Sequence, residues 1–147
     1  MSNLRFIKSA SGSTVSSLSV TDCFSADYDI YQVTITTLQT STAANIDVRF
    51  IDTGGVVSTS TYDEAILILP SNTGFSEIRN TGVTSIGGVS YGGGDAYGVS
   101  INMMVFNPND SSSYTFLTDQ SNAWTGVLQA YKGIGVEKTT QTITGIN

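Results

Sequence analysis

Apolar and polar positions alternate along most of this chain. Tyr31, Val33 and Ile35 alternate with Gln32, Thr34 and Thr36, and Ile46, Val48 and Phe50 alternate with Asp47 and Arg49. Tyr97, Val99, Ile101, Met103 and Val105 alternate with Gly98, Ser100 and Asn102. A period of two marks a strand with one buried face. The pattern predicts a core containing Val33, Ile35, Val48, Phe50, Leu67, Val99, Ile101 and Val105. Residues 65–69 are apolar on both faces and predict a strand covered on both sides, ended by Pro70, which cannot donate to a ladder.

Further strands are predicted at 4–8, 14–20, 56–60, 75–79, 83–91, 113–117, 124–131 and 141–146. Turn signals separate them, among them Asp52-Thr53-Gly54-Gly55, Pro70-Ser71-Asn72-Thr73-Gly74 and Asn107-Pro108-Asn109-Asp110. No window has a helical period, and Ser, Thr, Gly, Asn and Val are mediocre or poor helix formers. The expectation is an all-β chain: an antiparallel β-sandwich of 8–10 strands with little or no helix, of jelly-roll rather than immunoglobulin type. At 147 residues it reads as one domain, 1–147. Residues 1–19 form an N-terminal arm or an edge strand, and the polar stretch 9–17 is read as a loop.

Composition narrows the chemistry. The chain has no histidine, one cysteine and a net charge of −6. It therefore lacks the commonest general base and metal ligand. Cys23 has no disulfide partner, and beside Phe24 it reads as a small buried residue whose thiol Asp22 makes less reactive. The six basic residues are scattered singly, which argues against nucleic acid and against an anionic membrane surface. The start of the sequence has no apolar h-region and no segment is long enough to span a bilayer, so the expectation is a protein made in a cytoplasm.

The carboxylates offer little. Asp27 and Asp29 lie on one side of an extended segment and suit a turn better than a calcium site. Asp63 and Glu64 point to opposite faces if extended, so they cannot flank a glycosidic bond together. Glu77 and Glu137 have no partner in sequence. Tyr91-Gly92-Gly93-Gly94-Asp95 lacks the lysine and the helix of a phosphate cradle and reads as a hairpin tip or loop. Trp124, after the polar stretch 119–123, which reads as a loop, plugs the core, meets a partner or stacks on a sugar. No catalytic residue, metal or cofactor is expected, and the chain is read as non-enzymatic.

Several segments together resemble single jelly-roll domains of bacteriophage virion proteins of marine-phage type. The segments are Tyr28-Asp29-Ile30-Tyr31-Gln32-Val33, Asn45-Ile46-Asp47-Val48-Arg49-Phe50, Ile101-Asn102-Met103-Met104-Val105-Phe106-Asn107-Pro108 and Ser112-Ser113-Tyr114-Thr115-Phe116. The resemblance spans about residues 20–147. It implies a virion location and a capsid-decorating, head-fibre or tail-associated role. The partners it implies are other virion proteins and further copies of the chain, with a trimer favoured. The stop at Gly145-Ile146-Asn147, inside an expected strand, suggests an unpaired edge and a weakly stable isolated chain. Trp124, Tyr131, Ile143 and Ile146 are then the expected interface residues. The rival expectation is a module binding host glycan through Tyr91, Tyr97 and Trp124.

Overall fold

The computed structural model describes residues 4–94 and 98–147. Eleven strands follow in chain order among the described residues. The first six are β1 (Ile30–Leu38), β2 (Ala43–Val48), β3 (Phe50–Asp52), β4 (Gly55–Val56), β5 (Tyr62–Pro70) and β6 (Ser76–Val83). The remainder are β7 (Ile86–Gly93), β8 (Val99–Phe106), β9 (Thr115–Trp124), β10 (Leu128–Glu137) and β11 (Gly145–Ile146). No helix occurs among the described residues. The architecture is the expected all-β antiparallel sandwich.

One layer is a six-stranded sheet in the order β1-β8-β9-β10-β5-β6. Facing it are the β2–β7 pair and the small β11-β3-β4 sheet. Strand β7 lies across β5, β8, β9 and β10 and closes the core. The inner strands of the six-stranded sheet alternate buried and open positions, most regularly β9, where every second residue from Thr115 to Ala123 is buried, whereas edge strand β6 is largely exposed. Cross-strand register carries these inward positions into rows, for example Met103–Asp119–Gly133–Ile66 and Val105–Leu117–Gly135–Glu64. Two glycines of β10 make room in these rows. A Cβ on Gly135 would sit 2.5 Å from Ile86 Cδ1, so β7 packs this closely only because that side chain is missing.

Val48, Phe50, Val99, Ile101 and Val105 are buried, with Val33 and Ile35 packed against them. Leu67 is the exception at 39% exposed. The 65–69 strand is covered on one face only: Ile66 enters the core while Ala65 and Leu67 face solvent. Stretch 119–123, expected as a loop, is strand, and its inward positions are the polar Asp119 and Ser121. The expected 124–131 strand is broken at Thr125-Gly126-Val127, where Gly126 has φ 85°. Residues 4–19 contain no strand and are exposed throughout.

The C-terminal edge is not open. Ile146 and Val20 exchange backbone hydrogen bonds of 2.8 and 3.0 Å, and Arg49 and Asn147 exchange another pair of 2.9 and 2.8 Å. Strand β11 thereby sits between β3 and residue 20, and the expectation of an unpartnered final strand is corrected.

Candidate functional site

Three of the four expected interface residues are interior. Ile143 and Ile146 are buried by the C-terminal closure, and Tyr131 is buried on β10, its hydroxyl donating to Gln129 Oε1 at 2.6 Å. They fill this chain's own core and present no surface to a partner. Trp124 alone remains on the surface, 44% exposed, opposite Leu128 at the end of the β9–β10 hairpin. The two glycan candidates that are described do not share a face. Tyr91 is half-buried against the core, Trp124 lies on the outer sheet face, and Tyr97 is outside the described residues.

The outer face of the six-stranded sheet is a continuous surface running across all six strands. Its middle is a shallow open depression of about 540 Å³ lined by both apolar and polar side chains. Register places Gln32, Met104, Thr118, Ile134, Ala65 and Arg79 in one row across it. The next row is Thr34, Asn102, Gln120, Lys132, Leu67 and Glu77. Gln32 Nε2 donates to Asn102 Oδ1 at 2.7 Å, and Arg79 pairs with Glu77. Amides, hydroxyls and aliphatic groups side by side suit the binding of another surface. Toward one end the mixture turns apolar, in the row Ile30–Phe106–Phe116–Val136. The strand pattern made these outward positions legible one by one; nothing in sequence showed that they join into one face.

Sequence reasoning did not reveal that Glu64, Asp119 and Glu137 are buried on the inner face. Glu64 is buried and accepts hydrogen bonds from Asn80 Nδ2 (2.7 Å) and the Gly87 amide. Asp119 is buried with neither oxygen hydrogen-bonded among the described residues. Burial first, and the nearby charge of Glu64 second, push its carboxyl up to about 6. Glu137 is fully buried and held by the Thr139 amide (3.1 Å), the Thr139 hydroxyl (2.6 Å) and Gln141 Nε2 (3.3 Å). Asp63 and Glu64 do point to opposite faces: Asp63 turns outward to Lys138, 2.8 Å away. The Asp27 side chain caps a turn with Ser25 (Oγ to Oδ2, 3.1 Å). Cys23 is half-buried; burial is the main cause raising its thiol, and Sγ donates to the Val20 carbonyl. Among the described residues no three His, Cys, Asp or Glu side chains gather as a metal site.

Comparison with known proteins finds no matching family model, no matching curated protein and no matching solved structure.

Proposed function

We infer that this chain is a structural protein of a bacteriophage particle, a jelly-roll sandwich that docks on a capsid or tail and decorates or stabilises it. The observation that carries this reading is the six-stranded sheet with its outer face left open and furnished with amides, hydroxyls and scattered apolar groups. Such a face suits broad, flat contact with another protein better than enclosure of a small molecule. The strand motifs around Tyr28–Val33 and Ile101–Pro108 support the same family. In this reading the partners are other virion proteins and further copies of the chain, as a trimer, and the role is non-enzymatic.

The test is immunogold labelling of purified phage particles with an antibody raised against the recombinant protein, with mass spectrometry of the same particles. Regular label at one location on the particle is expected. Absence of the protein from purified particles, with the protein abundant in the infected-cell lysate, overturns the reading.

A further inference from the structure

The N-terminal segment and one end of the outer sheet face each display what the other lacks. Residues 4–19 carry Arg5 and Lys8 and no acid, a charge of +2, which leaves −8 for the rest of the chain. Lys8 Nζ donates to the Thr21 carbonyl at 2.6 Å, closing residues 8–21 into a loop. Within that loop Val15 and Leu18 pack around Gly12. Beyond it the tip stands in solvent, with Leu4 77% and Phe6 78% exposed.

The apolar end of the sheet has the opposite character. Ile30, Tyr114 and Phe116 are exposed there, next to half-buried Phe106. Asp27 and Asp29 precede β1 and Asp110 lies in the β8–β9 loop; all three are exposed. The Asn107 amide donates to the Asp29 carbonyl at 2.7 Å and so holds the two acidic loops at this one end. An aromatic and aliphatic patch rimmed by three carboxylates is complementary in charge and polarity to Leu4-Arg5-Phe6-Ile7-Lys8.

We propose that the basic, apolar tip at residues 4–8 of one copy docks on the Ile30–Phe106–Phe116 patch of a second copy. The tip's own body is not the occupant: Leu4 and Phe6 are each more than three-quarters exposed, and Ile30 and Phe116 of the same chain's patch are open as well. Phe6 and Leu4 supply the buried contact. Arg5 faces the Asp27, Asp29 and Asp110 rim, while Lys8 stays on Thr21 of its own chain; exposed charges of this kind set rate, register and salt sensitivity more than affinity. This contact is a property of the purified protein and does not depend on where it resides.

The experiment places Phe6→Cys and Phe116→Cys together in a Cys23→Ser background of the full chain, oxidises it at tens of micromolar, and reads the products on a non-reducing gel. Sedimentation of the unaltered chain and of Leu4→Ser/Phe6→Ser runs in parallel, with circular dichroism to verify folding. Disulfide-linked dimers or higher ladders are expected. The unaltered chain should sediment above the 15.5 kDa monomer and Leu4→Ser/Phe6→Ser at it, with the same melting temperature once assembly is removed by dilution. High salt should weaken the assembly. A disulfide within one chain would show the tip folding onto its own body and overturn the proposal. So would no disulfide, or an assembly that the serine substitutions leave unchanged.

Discussion

Tyr62 shows how much a single polar atom does inside this core. The side chain is fully buried, its hydroxyl donates to the Val57 carbonyl at 3.1 Å, and it accepts from the Phe50 amide at 2.9 Å. Burial pushes its ionisation up to about 12, so it stays a neutral donor at any working pH. Tyr62→Phe keeps the ring and strands the Phe50 amide. A loss of about 1–3 kcal/mol in urea unfolding is expected, and no loss would mean water reaches that amide. Asp119 acts in the opposite direction. Its folded value of about 6 lies above its ordinary 3.8, so the folded state holds a proton that the unfolded chain has already released. Stability from this group is highest below about pH 4, falls as pH rises from 4 to 6, and is flat above. The full difference is about 3 kcal/mol. Asp63, lowered first by Lys138, and Asp110, lowered first by Ser112, lose their stabilisation only as pH falls through values below 3.8, a separate window. Asp119→Asn should remove the decline between pH 4 and 6, measured as urea midpoints at pH 4.5, 5.5 and 7.5. A parent midpoint unchanged across those three values would refute the assignment. Neither residue was singled out in the sequence. Asp119 read as loop because alternation reports apolar side chains and is silent when an inward position is a carboxylate.

Among the elements, β1 and β8 were legible almost residue by residue, since Tyr31, Ile101, Met103 and Val105 alternate cleanly with polar residues that meet water. Strand β5 was legible as a strand but not in its surroundings. Hydrophobicity on both faces predicted cover on both, whereas Leu67 and Ala65 stay open on the outer face. An apolar residue on a surface is common and carries no local mark. Strand β10 was half missed because its inward positions include Gly133 and Gly135, which add nothing to a hydrophobic pattern. Their role appears only when β7 is laid over them. Gly135→Ala, which in an open strand would help by restricting the unfolded chain, should here push Ile86 aside. A loss of about 1–3 kcal/mol is expected from such overpacking. A rise in melting temperature would mean that β7 can shift without cost. Segments 4–8 and 14–20 show the converse error. Alternation alone predicted strands, but apart from the Val20–Ile146 bridge they have no neighbouring strand with which to pair.

At the scale of the whole molecule, the sandwich is closed by its last residues. Ile143 is fully buried and its amide donates to the Pro108 carbonyl at 2.7 Å, tying the β8–β9 loop to the C-terminal segment. Ile146 is buried beside Phe50 and Val20, and Asn147 pairs in both directions with Arg49. Sequence alone left this segment reading as an open edge, because the strands it joins, at residues 20 and 50–51, are distant in the chain and too short to announce themselves. Closure has an energetic consequence. Burying two isoleucines contributes roughly 3–6 kcal/mol, against a total for a domain of about 5–15 kcal/mol. A chain ending at Thr142 should therefore lose most of its stability. It should unfold at much lower urea concentration, with a broadened transition as β3 and β4 lose their outer neighbour. The full chain should unfold in one sharp transition at concentrations low enough to keep it monomeric. Equilibrium urea unfolding of the two chains at one micromolar, followed by Trp124 fluorescence and far-ultraviolet circular dichroism, decides the matter. Coincident, superimposable transitions for the full and shortened chains would mean that the core holds without its final strand, and that residues 143–147 lie on the sandwich without closing it.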